Sequence, residues 1–133
     1  TIYDGLRSEE GLTFSGNVTV ETFTQGIYSS PNFNGPVIVT SEYLSSNLGS
    51  PSSTMTNTFY GPGVIAGTLT ARRWTNFLFH DDVIVSGDMA LAVGTNVQAK
   101  ASVTADSVTI DGGDMEVGET LTVFGGLEWT VRA

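Results

Sequence analysis

The only histidine of the chain, His80, is followed directly by Asp81 and Asp82. An imidazole beside two carboxylates has the parts of a general base or a metal site. One histidine and two adjacent acids lack the spacing of zinc motifs, however, so the competing reading is a polar turn that leaves an aromatic strand. A second candidate is Asp111-Gly112-Gly113-Asp114-Met115-Glu116. Asp111, Asp114 and Glu116 could offer oxygen ligands, and calcium is the cation an acidic, glycine-rich loop would take. The stretch matches neither an EF-hand loop nor the Gly-Gly-x-Gly-x-Asp repeat of calcium-binding β-rolls, which leaves a solvated turn as the alternative.

Aromatic side chains make the third candidate. Tyr28, Tyr43, Tyr60 and Trp74 would serve as a sugar-stacking platform or as half-buried anchors at a subunit interface. Arg72 and Arg73 form a basic pair that would meet the acids of a neighbouring subunit, or Asp81 and Asp82. Thr104, Thr109 and Thr122 would make a flat ladder of the ice-binding type if they shared a face. Asn17-Val18-Thr19 is a glycosylation sequon. Among 14 acids a glycosidase pair is conceivable, but no spacing in the chain marks one, and no other catalytic signature is present. The expectation is a protein that is not an enzyme and carries no cofactor.

Composition narrows the partners. The formal charge is −9, with Arg7, Arg72, Arg73, Lys100 and Arg132 the only basic residues. So negative a surface repels phosphate backbones and anionic lipid, which argues against nucleic acid and membrane surfaces. No cysteine is present, so disulfides and thiolate ligands are excluded, and no apolar run approaches the ~20 residues of a membrane helix. A chain that starts at Thr1 fits a processed secreted or surface protein, or a domain of a longer fibre. The expected location is therefore extracellular, on a cell surface or on a virion.

The elements that must hold these residues are strands. From Val83 to Val131 short apolar doublets recur about every six residues: Val83-Ile84-Val85, Leu91-Ala92-Val93, Val97-Gln98-Ala99, Val103-Thr104-Ala105, Val108-Thr109-Ile110, Met115-Glu116-Val117, Leu121-Thr122-Val123 and Leu127-Glu128-Trp129. Alternate residues of a strand share a face, so each unit sends two side chains inward and one outward. The same step opens the chain at Leu12 to Val20. Residues 1–22 read as an arm and first repeat-like strands, 23–82 as loop-rich strands carrying all four prolines, and 83–131 as the hexad repeat of a single β domain.

The fold class is all-β. A β-solenoid in which every third strand stacks on the one below gives coils of roughly eighteen residues. An antiparallel sandwich, jelly roll or meander would instead use Val117-Gly118-Glu119-Thr120 and Ile110-Asp111-Gly112-Gly113-Asp114 as hairpin loops. Eight six-residue units make fewer than three coils. A stub of that size wants a cap, a longer fibre or partner chains.

On units such as Val108-Thr109-Ile110 and Leu121-Thr122-Val123, the stretch Val83 to Val131 resembles in architecture the polymer-forming β-solenoids of the bactofilin kind and the β-helical shafts of viral fibres. Both kinds act by assembling, so the resemblance implies self-association. The expected function is that of a homo-oligomer, a trimer or a polymer, in a viral fibre, spike or decoration or in an extracellular filament. A carbohydrate-binding or adhesion module that takes a glycan is the alternative, and a small glycan-cleaving enzyme a further one.

Overall fold

A computed structural model describes residues 2–8, 13–25, 30–45, 55–72 and 74–130. They form a parallel β-solenoid of about five turns, with no helix among the described residues. The strands are β1 (Ile2–Ser8), β2 (Thr13–Phe14), β3 (Val18–Gln25), β4 (Asn32–Phe33), β5 (Val37–Ser45), β6 (Met55–Phe59) and β7 (Gly63–Ile65), then β8 (Thr68–Ala71), β9 (Thr75–Phe79), β10 (Val83–Leu91), β11 (Asn96–Ala99), β12 (Val103–Asp111), β13 (Asp114–Val117) and β14 (Leu121–Thr130). One sheet stacks β1, β3, β5, the β7–β8 pair, β10, β12 and β14. The other stacks β2, β4, β6, β9, β11 and β13, and all pairings are parallel.

Register defines the coil. Val18 pairs with Val37, Val37 with Gly63, Gly63 with Val83, Val83 with Val103 and Val103 with Leu121. The long strand is broken by register shifts at Val20/Thr22, Val85/Asp88 and Ala105/Ser107, so each coil has three limbs. In one coil these are Val83–Val85, Asp88–Leu91 and Asn96–Ala99. Their inward residues, Val83, Val85, Met89, Leu91, Val97 and Ala99, are all buried. The doublet expected at Leu91-Ala92-Val93 moves two residues back to Met89-Ala90-Leu91, because the bulge at Ser86-Gly87 is shorter than a full corner.

Coils continue through 23–82, the stretch that reads as loops in the sequence. Two features disguised them. Pro36 and Pro62 occupy the corner before the first limb, where their carbonyls accept the N–H groups of Val18 and Val37 at 3.0 Å. Asp82, Ser102 and Thr120 hold the same place in later coils. A corner residue that only needs to accept can be proline. The spacing between second and third limbs also varies, with nine residues between Ser45 of β5 and Met55 of β6 but four between Leu91 of β10 and Asn96 of β11. The turn Val117 to Thr120, a hairpin loop in the antiparallel alternative, is a corner between β13 and the next coil. Residues 2–8, which show no clear period, are the strand β1.

The interior changes character along the axis. Valine, leucine and alanine fill the later coils, whereas the earlier ones carry an aromatic column on the third limb: Phe14, Phe33, Phe59 and Phe79. Their ring centroids follow one another at 5.1, 4.7 and 5.0 Å. Phe23 and Tyr43 stack beside them at 4.7 Å on the second limb. Rings at such separations add about 0.5–1.5 kcal/mol per pair beyond the area they bury.

Candidate interaction surface

The coil geometry sorts the sequence candidates into core, corner and outer face. Tyr43 is the clearest correction. It stands six residues after Val37, one step of the repeat, and so points inward: it is fully buried and its hydroxyl donates to Asn57 Oδ1 at 2.6 Å. It is a core residue and no surface anchor. Burial pushes its hydroxyl well above the ordinary value of 10.0. Because the unfolded chain ionises first, the contribution of Tyr43 is whole below pH 10 and is lost as pH rises from there towards the folded pKa, by up to about 1.4 kcal/mol per pH unit. Urea midpoints at about pH 9 and about pH 11 should show this fall, and Tyr43→Phe should flatten it.

Tyr60 is half exposed and its ring lies on that of His80, with centroids 4.6 Å apart and planes 14° from parallel. The two stack because their N–H groups bond the carbonyls of Phe33 and Phe59, one coil apart, and Lys100 takes the next place by bonding Phe79. Asp81 and Asp82 serve the corner beside them. Asp81 Oδ1 accepts the N–H of Asp82 at 2.7 Å, and Asp82 Oδ1 accepts that of Ser102 at 3.0 Å. His80 and its two carboxylates thus form a polar turn, as the second of the two sequence readings has it.

Trp74 lies at the corner between second and third limbs with φ of 63°, in register with Gly94 at 78° and Gly112 at 77°. A side chain at Gly94 would meet the Trp74 ring, which covers that glycine. Thr75 and Thr95 hold the corner by donating to the carbonyls of Arg72 and Ala92, both at 2.7 Å. Arg72 is exposed and lines a shallow cavity of about 230 Å³ with Ala71, Leu91 and Asp111. Tyr28 and Arg73 lie outside the described residues.

Asp111, Asp114 and Glu116 are not gathered into a site. Asp111 closes the second limb, half buried, while Asp114 and Glu116 are exposed on the outside of the third limb. Among the described residues no group of three or more His, Asp or Glu side chains is placed to hold an ion. The threonines likewise divide: Thr104 pairs with Thr122 on the first limb, but Thr109 belongs to the second, beside Ala90 and Glu128.

Sequence reasoning missed the outer face of the first limb. In register with Thr104, one coil apart each, stand Ile84, Val64 and Ile38, exposed by 44, 37 and 42%. The next outward places in those coils are small: Thr40, Ala66 and Ser86, all exposed. The signal was available, since Val37-Ile38-Val39, Gly63-Val64-Ile65 and Val83-Ile84-Val85 carry an apolar residue where the later units carry Thr or Glu. At the far end of the stack, Leu121 and Leu127 take the inward places of Val103 and Val108 but are exposed by 37 and 52%. Compared with known protein families, with curated proteins and with solved structures, the chain matches none.

Proposed function

We propose that this chain is a structural assembly module that acts through self-association, as part of a fibre, spike or filament outside the cell or on a virion. The observation that carries the reading is the coil Leu121–Thr130. Its strand β14 pairs with β12 on one side, and among the described residues no strand pairs with its other edge. Leu121 and Leu127, core positions by register, are open to solvent there. An edge that combines free backbone groups with apolar side chains invites another strand. A further coil of the same architecture would cover it with matching strand direction, whether it comes from a second copy or from chain that continues the stack. Between copies the contact joins unlike ends, so it propagates instead of closing.

Light scattering on the chain at micromolar concentration should give a mass above that of the monomer. Leu127→Asp, which places a charge on the open coil at a side chain about half exposed to solvent, should lower that mass while far-ultraviolet circular dichroism shows the stack still folded. A wild-type chain that stays monomeric over the whole accessible concentration range sinks the reading.

A further inference from the structure

We infer that the open edge of β14 is covered by β1 of a second copy, in parallel register, with Glu128 of one chain beside Arg7 of the next. The inference rests on the self-association reading and names the surface that meets the open coil. The first sheet has two free edges: among the described residues nothing pairs with the outer edge of β14 or with that of β1. Both strands run in the common direction of the stack, so β1 of a second copy can follow β14 as β14 follows β12.

Register fixes which residues meet. Tyr3, Leu6 and Arg7 pair with Val20, Phe23 and Thr24, and these places recur coil by coil up to Val123, Leu127 and Glu128. One coil further, at the ~4.8 Å spacing of paired strands, Val123 therefore pairs with Tyr3 of the second copy, Leu127 with Leu6 and Glu128 with Arg7. The bends match as well. β1 bends over one residue, Asp4, and β14 over two, Phe124 and Gly125; β12 and β14 already make that same step at Ala105/Ser107. Only two limbs meet, because on the third β13 and β2 of the second copy stand two rungs apart. The joint is thus weaker than a pairing inside the stack and forms reversibly.

Charge selects this partner over a second copy of the same end. From Ala101 to Glu128 the chain has six acids, Asp106, Asp111, Asp114, Glu116, Glu119 and Glu128, and no base, so two such ends repel. In the register column that runs from Arg7 to Glu128 the members between are Thr24, Leu44, Thr70, Ala90 and Thr109, all uncharged. The charges of the column stand at its two ends with opposite sign, and Glu128 is exposed. Opposite charges on neighbouring strands support a pairing that like charges oppose. Asp4 falls beside the uncharged bend at Phe124 and Gly125, two rungs from Asp106. Glu9 and Glu10 lie outside the described residues.

Sedimentation equilibrium of charge-reversal variants tests the joint, with far-ultraviolet circular dichroism to show that each is folded. Arg7→Glu and Glu128→Arg should each associate about tenfold or more weakly than wild type, since each sets like charges across the joint. Mixed together, the two variants should regain association, because every joint between unlike chains pairs opposite charges again. The double variant should regain it alone. The absence of native cysteine lets the register be read directly: a chain with Ile2→Cys should form a disulfide with one carrying Thr122→Cys, its register partner. Linking of Thr122→Cys only to itself would mean that like ends meet and would overturn the arrangement. Wild-type association that neither reversal alters would overturn this joint and leave self-association through another surface standing, whereas a monomeric wild type would overturn both.

Discussion

Gly67→Ala is expected to lose about 3 kcal/mol or more of stability, or to prevent the chain from folding. A Cβ built on Gly67 would run into the carbonyl oxygen of Ser41 and lie 2.7 Å from its carbon. Both obstacles are backbone of the coil beneath, so no rotamer change relieves them. Two coils would have to part where the first limb bends into the second, and the pairings of Glu42–Ser45 with Thr68–Ala71 lie directly after that bend. Gly126→Ala is the control, since nothing lies within 4 Å of its added methyl. Urea denaturation followed by far-ultraviolet circular dichroism should separate the two variants widely. If Gly67→Ala unfolded at the midpoint of Gly126→Ala, coils could not be in such close contact.

Asn57→Ala should cost about 3 kcal/mol, for a different reason. Asn57 is the polar rung in an inward column whose next members are Phe77, Val97 and Met115. Its Oδ1 accepts the Tyr43 hydroxyl at 2.6 Å, and its Nδ2 donates to Ser45 Oγ at 2.9 Å and to the Asn76 carbonyl at 3.2 Å. Truncation removes at least these three bonds from a buried interior, where an unmet hydroxyl carries its full desolvation penalty. The trio as a whole contributes much less than any one member seems to. Replacing all three partners by apolar groups of similar shape, Tyr43→Phe with Ser45→Ala and Asn57→Leu, should recover most of the loss. Denaturation of the single and triple variants measures that non-additivity, and a triple variant no more stable than Asn57→Ala would refute it. Ser45 ends β5 and Asn57 lies in β6, so the trio ties together the two sides from which the longest connection departs.

How far the fold could be read depended on what faced inward. Where valine and its like alternate with threonine and glutamate, from Val103 to Val123, the sequence placed strand, face and coil length correctly. Where the inward residues are Phe33, Tyr43, Asn57 and Phe59, hydrophobic period no longer separates core from platform, and Tyr43 reads as readily as a platform or half-buried anchor as it does as core. The prolines misled because their usual meaning is a break, whereas a solenoid corner needs only their carbonyl. The acids of Asp111-Gly112-Gly113-Asp114 are close in sequence but fall on different limbs, and that separation is a property of the coil which spacing cannot express. Neither could the ridge of Ile38, Val64 and Ile84 be read from any one segment, since it exists only once three coils are in register.

In both sheets every strand pairs only with strands of the coil before and the coil after. Kinetically this makes the molecule a line of neighbours. Nearly all pairings close loops of about twenty residues, so order is gained in similar increments and no single distant contact governs the rate. The coils of Phe33 and Phe59 combine the closest ring packing, at 4.7 Å for Phe23–Tyr43 and for Phe33–Phe59, with neighbours on both sides, and folding is expected to begin there and spread outward. Amide exchange would then slow towards the middle of the stack and quicken towards β14, so that the coil with an open edge is also the part of the chain that orders last.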